Sequence, residues 1–202
     1  MMMNKRDIDT IVFDIGNVLI TFDPLGYLRE SFNDEDMLNL VCNAIFRSKE
    51  WLELDRGTLD EEAFGEIISH RIPEHKRHVT KVMEGWEEIL NPIESSIALL
   101  PGLKEKGYKL YLLSNFHKKA FKKVYEKYEF FQYFDGRLIS SDYQLLKPEK
   151  AIYQKLIELY NLNPSTTLFI DDAKENIEVA KKLGFQTIHF KEAQQINDFL
   201  TK

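Results

Sequence analysis

A single cysteine, Cys42, rules out an intramolecular disulfide, and no second thiol stands near it to complete a metal or redox motif. It lies in a stretch with helical patterning and reads as a buried structural thiol. No apolar run is long enough to span a bilayer. Residues 1–9 form a short polar stretch without the continuous apolar core of a signal peptide. The expected location is therefore cytoplasmic, with no membrane partner. Basic blocks are also missing. Lys and Arg number 27 against 33 Asp and Glu, for a net charge of -6, so nucleic acid is not expected as a partner. There is no internal repeat and no low-complexity segment. What is present, 44% hydrophobic and 30% charged residues, suits a globular chain. Its 202 residues suffice for one large domain or two small ones.

The run Ile11, Val12, Phe13 reads as a buried strand and meets a carboxylate, Asp14. Gly16 and Asn17 then signal a turn. A carboxylate at the end of a buried strand is costly without a cation or strong donors beside it. Alone, Asp14 would read as a turn or helix cap.

From Asp23 and Pro24, an N-cap followed by proline at the first helical position, to about Pro92 the pattern is helical throughout. Met37, Val41 and Ile45, with Leu38 and Phe46, form one stripe. Residues 51–57 read as a polar break between helices. Thr58 and Glu61 read as a capping box for a helix whose inner face is Phe64, Ile67 and Ile68. Val79, Val82, Met83, Trp86, Ile89 and Leu90 form another stripe. These are the faces of a small helical bundle.

After Ile93 helices and strands alternate. A helix over 93–106 is interrupted at Pro101 and stops at Gly107. Strands are expected at 109–113, 137–140, 167–170 and 186–190. The helices between them carry inner faces Phe116, Ala120, Phe121 and Val124; Ile152, Leu156 and Leu159, starting at Pro148; and Ile177, Ala180 and Leu183, ending at Gly184. A last short helix turns Ile196, Phe199 and Leu200 inward. Alternation of this kind implies a parallel sheet with helices on both faces. The expected fold is α/β: a Rossmann-like three-layer core from residues 1–20 and 96–202, with an all-helical domain, residues 21–95, inserted after the first strand.

Parallel strands put their C-terminal ends on one edge. Asp14, Ser114 with Asn115, Lys147, and Asp171 with Asp172 should meet there, with Asn176 one turn on. Ser114, Asn115 or Lys147 alone would read as a cap or a solvated lysine. Two adjacent carboxylates at the end of an apolar strand repel each other unless a cation offsets them, so the four together read as a site. Carboxylates with carbonyl and water oxygens are the ligands Mg²⁺ prefers. A hydroxyl, helix-start amides and an ammonium make an anion cradle. With one further carboxylate as nucleophile, this is a phosphoryl-transfer constellation.

These motifs together resemble the haloacid dehalogenase superfamily, in the form that carries a helical (C1-type) cap after the first strand. The first motif matches residues 11–19, and the run Asp14, Ile15, Gly16, Asn17, Val18 is similar to a bacterial subgroup that includes glucose-1-phosphate phosphatases. The resemblance implies Asp14 as nucleophile with Lys147 steadying its charge. It places phosphate contacts on Ile15, Gly16, Ser114, Asn115 and Lys147, and metal ligands on Asp14, Gly16 and Asp172. Asp171 and Asn176 are supporting candidates. It implies a Mg²⁺-dependent phosphatase acting on small phosphomonoesters such as sugar phosphates, through an aspartyl-phosphate. One position departs from the pattern. Phosphatases of the superfamily carry a second Asp two residues after the nucleophile, where it protonates the leaving alcohol, and here that position is Gly16. Asp23 is a candidate substitute. Two alternatives follow from the departure: a 2-haloacid dehalogenase-type hydrolase, and a binding or regulatory protein of the same fold. In the helical domain, Glu53, Asp55 and Arg56 are candidates to reach the substrate.

Overall fold

The computed structural model describes residues 8–32 and 34–201. Of the polar stretch 1–9, residues 1–7 lie outside the described residues. Five strands form one sheet: β1 (Thr10–Phe13), β2 (Lys109–Ser114), β3 (Gly136–Ile139), β4 (Thr167–Asp171) and β5 (Gln186–His189), in the order β3-β2-β1-β4-β5. Every pairing is parallel. β1 and β4 are buried along their whole length, as continuous apolar runs in a parallel sheet should be. The third strand ends one residue earlier than the sequence suggests, because Ser140 starts a helical turn.

The helices between β1 and β2 are α1 (Pro24–Ser31), α2 (Glu35–Ile45), α3 (Lys49–Arg56), α4 (Glu61–Arg71), α5 (Lys76–Gly85), α6 (Glu94–Ile97) and α7 (Leu100–Glu105). After β2 come α8 (Lys118–Lys127), α9 (Ser140–Tyr143), α10 (Lys150–Tyr160), α11 (Lys174–Lys182) and α12 (Gln194–Thr201). Successive strand residues face opposite sides. Val12, Tyr111, Leu113 and Phe169 pack with Ile152, Tyr153 and Leu156 of α10 and Ile177 of α11. Ile11, Phe13, Leu110, Leu112 and Ile170 pack on the other face with Leu103 of α7, Phe121 and Val124 of α8 and Ile196 of α12. That second cluster runs on into the insert through Leu38, Val41, Trp51, Phe64, Ile68, Val82 and Trp86. Burying one such side chain fully stabilises the fold by roughly 1.5–3 kcal/mol. The two ends of the helical stretch between β1 and β2 lie side by side. Ile20 bridges to Pro92, and Thr21 N donates to Asn91 O at 2.8 Å.

Four local readings change. Residues 51–57 are not a polar break: they are α3 and its C-cap. Ser48 caps Trp51 N at 3.1 Å, Trp51 and Leu54 are buried three residues apart, and Gly57 closes the helix at φ 80. The cap of α4 is Asp60, which accepts from Ala63 N at 2.8 Å, while Thr58 donates to the Glu53 carboxylate. Ile67 and Leu159 sit on outer faces, 39% and 41% exposed, because Phe64 with Ile68 and Ile152 with Leu156 already complete the inner rows at i, i+4. Pro148 lies ahead of its helix, which begins at Lys150. Pro101 does divide the helix over 93–106, opening α7. Cys42 is buried and free.

Candidate active site

β1 is the central strand, and the chain turns from one side of it to the other: β2 and β3 are laid down on its one flank, β4 and β5 on its other. Such a reversal leaves a crevice beyond the strand C-termini, where ligands of open α/β sheets bind. Asp14 stands at the mouth of that crevice. Its backbone N donates to Ile170 O at 2.9 Å, which keeps it level with the end of β4. Its Oδ1 receives two donors, Ile15 N at 2.7 Å and Lys147 Nζ at 2.8 Å. Oδ2 is the oxygen left to react or to meet a cation.

Lys147 is 5% exposed and bridges Asp14 to Asp171, whose Oδ2 it reaches at 2.7 Å. Asp171 is fully buried and wholly engaged: Ala173 N donates to Oδ1 at 2.8 Å, and Asn176 Nδ2 reaches Oδ1 at 2.8 Å and Oδ2 at 3.0 Å. Asp172 is more open. Its carboxylate takes Asn17 Nδ2 at 3.1 Å, and its backbone carbonyl meets His189 Nε2 at 2.8 Å. Asp14, Asp171 and Asp172 each offer an oxygen within 4.8 Å of the others. Lys147 pairs with two of the three carboxylates, Asp14 and Asp171, so the cluster has negative charge to spare. Burial pushes Asp14 up to about 7, and the neighbouring carboxylates add to the rise, while Lys147 opposes it. The two acids beside Lys147 hold its ammonium above the usual lysine range, against the pull of burial. A divalent cation would fit this donor set, since its charge would return Asp14 to the ionised form. Asp14 and Asp172 would hold it, since Asp171 is spent on Lys147 and Asn176.

Ser114 ends β2, buried beside β1. Asn115 spends its side chain on Lys147, donating to its carbonyl at 2.9 Å and accepting from its N at 2.8 Å. Its backbone amide is the part left for an anion. The N–H of Ile15 holds Asp14, so it positions that carboxylate. Asp23 caps α1, accepting from Gly26 N at 2.9 Å, and is exposed.

Over this edge lies a cleft of about 80 Å³, lined by residues of both units, among them Gly16, Phe22, Trp51, Asp55, Trp86 and His117. Trp51 and Trp86 meet edge to face at 5.0 Å, and His117 stacks on Trp86 at 4.9 Å. Of the three candidates on the insert, Asp55 alone lines the cleft. Arg56 turns to Glu149, at 2.5 Å, and Glu53 to Thr58. Several residues of the site are not legible as such in sequence. Asn17 gave a turn signal, but its side chain ties Asp172 to Phe22 N, which it accepts at 3.0 Å. His117, Ser140 and Glu149 carried no signal, because their partners are 24 to 93 residues away.

Residues 8–184 match the haloacid dehalogenase-like hydrolases, and the chain belongs to that family. It is 24% identical over 178 residues to the sesquiterpene phosphatase astK of Aspergillus oryzae, covering 88% of this chain and 87% of that one. It is 25% identical over 195 residues to a D-ribitol-5-phosphate phosphatase of Bacteroides thetaiotaomicron, covering 89% and 90%. A HAD family enzyme of Bacteroides thetaiotaomicron, solved as its magnesium complex, superposes with a TM-score of 0.74 at 25% identity, over 97% of this chain and 100% of that one. The chain is accordingly a hydrolase with a HAD fold, and the relatives named here by activity are phosphatases.

Proposed function

We propose that this chain is a Mg²⁺-dependent phosphatase that hydrolyses small phosphomonoesters through an aspartyl-phosphate on Asp14. One observation carries the reading: three carboxylates lie within 4.8 Å of one another and the lysine among them pairs with only two, Asp14 and Asp171, a charge deficit that a divalent cation would fill and that a lone carboxylate nucleophile would not need. When bound, Mg²⁺ would neutralise phosphoryl oxygens and hold the phosphate in line with Asp14. Asp14 attacks phosphorus. Ser114 Oγ and the Asn115 amide receive the non-bridging oxygens, and Lys147 offsets the charge that gathers between nucleophile and phosphate. Water then cleaves the aspartyl-phosphate. The relatives named above act, by their names, on phosphate esters of a terpene and of a sugar alcohol. A terpenyl chain is apolar throughout and a sugar ring has an apolar C–H face; either suits the rings of Phe22, Trp51 and Trp86, and both belong in the first panel.

The test is phosphate release from that panel with Mg²⁺ and with EDTA. Turnover is expected with Mg²⁺ alone, and Asp14→Asn should lower it by at least about 10³-fold. Turnover of 2-haloacids insensitive to EDTA, with no phosphate released, would overturn the reading in favour of a dehalogenase. Magnesium-dependent phosphate binding without turnover of any ester would overturn it in favour of a binding protein.

A further inference from the structure

Phosphoryl transfer to Asp14 forms an Oδ–P bond and breaks the P–O bond to the alcohol. The electron pair of that bond stays on the alcohol oxygen, and expelling an alkoxide near neutral pH is difficult without a proton donor. We propose that Asp55, reaching in from the helical insert, gives its carboxyl proton to the departing alcohol oxygen; this role rests on the phosphatase reading above. When water later attacks phosphorus, the Asp14 Oδ–P bond breaks and its pair returns to the carboxylate. The proton that water sheds goes back to Asp55, and the cycle closes with no other reagent.

The residues around the cleft leave little choice. Gly16 has no side chain to offer, the Asn115 amide is committed to Lys147, and the aromatic rings carry no acidic proton there. Among the described lining residues, Asp55 and His117 are the two with an imidazole or carboxyl to give. His117 is nearly fully buried between Trp51 and Trp86, and burial pulls its imidazole down to about 3, so it holds no spare proton at neutral pH. Asp55 has the opposite disposition: enclosure of its carboxyl, helped by the charge of Asp14, pushes it up to about 8. That direction favours the protonated carboxyl at neutral pH.

Its position is built, not incidental. The backbone N–H of His117 acts on the Asp55 carboxyl, offsetting part of that rise. Ser140 Oγ donates to the Asp55 carbonyl and accepts Phe116 N at 2.9 Å, so one hydroxyl joins the insert to the segment after β2. The next residue, Arg56, forks onto Glu149, Nη1 at 3.1 Å and Nη2 at 2.5 Å. Gly57 then passes so close to α9 that a Cβ would lie 2.5 Å from Ser141 O. Three consecutive residues are thus fastened to the segment that carries Lys147. A solvated loop would have no use for that.

The experiment compares kcat/KM for a primary alkyl phosphate and for p-nitrophenyl phosphate, whose leaving group needs no proton. Asp55→Asn keeps an acceptor for the His117 N–H and should slow the alkyl ester by about 10²-fold or more while slowing the aryl ester by less than about tenfold. Asp55→Ser, read in the same assay, should show the same split. Gly16 supplies the second arm. An added Cβ there meets nothing within 4 Å and would face the same cleft, so Gly16→Asp in the Asp55→Asn background should recover the alkyl ester. Calorimetry of inorganic phosphate with Mg²⁺ should give the same affinity in wild type and in Asp55→Asn. Equal slowing of the two esters, no slowing, or a matching loss of phosphate affinity would return Asp55 to a structural role. Wild type inactive on both esters would instead overturn the phosphatase reading and this role with it.

Discussion

Asn17 shows how much of the site hangs on one side chain. Its backbone is left-handed, φ 53, a conformation Asn adopts more readily than most residues. Its amide donates to Asp172 and its carbonyl oxygen accepts Phe22 N, so the segment leading into α1 and the Asp172 carboxylate are held by the same side chain. Partners that orient a metal ligand are commonly worth about 10–100-fold in affinity. Asn17→Gly keeps the backbone and removes both bonds, so the Mg²⁺ concentration for half-maximal activity should rise by about that factor, read from a magnesium titration of initial rates. Lys147 is the reverse case. It is buried with Asp14 and Asp171, and Lys147→Met would leave two carboxylates uncompensated. Breaking a buried pair of this kind costs roughly 3–5 kcal/mol, which a denaturant midpoint would show without any assay.

Among the elements, α3 decides the geometry of the cleft. Its length is set by Ser48 at one end and Gly57 at the other. Gly57 is doubly constrained: its φ of 80 disfavours any side chain, and the space is taken by Ser141 O. Gly57→Ala should therefore destabilise the fold by about 1–3 kcal/mol, measured as a lower chemical-denaturation midpoint, and should shift Asp55 enough to depress alkyl-ester turnover. Arg56 and Glu149 form a partly exposed pair, the guanidinium 25% and the carboxylate 42% exposed, so its contribution to stability is small, about 0–1 kcal/mol. Arg56→Ala should leave stability nearly intact. Because α3 carries Asp55 on the residue before, its effect should appear in the preference between alkyl and aryl esters.

At the scale of the whole molecule, core and insert meet around His117. The imidazole lies against Trp51 and Trp86, with both ring nitrogens buried and without hydrogen-bond partners. Its pKa in the fold is about 3, below the 6.5 of a free histidine, so the folded chain binds fewer protons than the unfolded chain between those values. The stability this contributes is complete above pH 6.5 and is lost as pH falls towards 3, at on the order of 1 kcal/mol per pH unit. Glu61, whose Oε1 lies 3.9 Å from Nδ1, offsets part of that loss by meeting the imidazolium. Relative to wild type, His117→Phe should gain stability as pH falls from 6.5 to 4, so the difference between their unfolding midpoints should widen with acid.

The alternation of apolar runs and helical stripes determined the α/β core, its parallel sheet and the helical stretch between β1 and β2, because a buried strand and an amphipathic helix each declare themselves within a few residues. That Asp14, Asp171 and Asp172 would gather was legible for the same reason: each sits at a strand end, and parallel strands bring such ends to one edge, where the turn ahead of α10 adds Lys147. α3 was not legible, since its buried residues, Glu50, Trp51 and Leu54, are diluted by exposed polar ones. Nor could sequence choose among Glu53, Asp55 and Arg56. One helical turn separates side chains by about 100° per residue, and only the docking of α3 on α9 fixes which of the three faces the cleft. The long-range ties of Asn17, His117, Ser140 and Glu149 were decided in the same way. A polar side chain has many acceptable partners along a chain, and packing in three dimensions selects one.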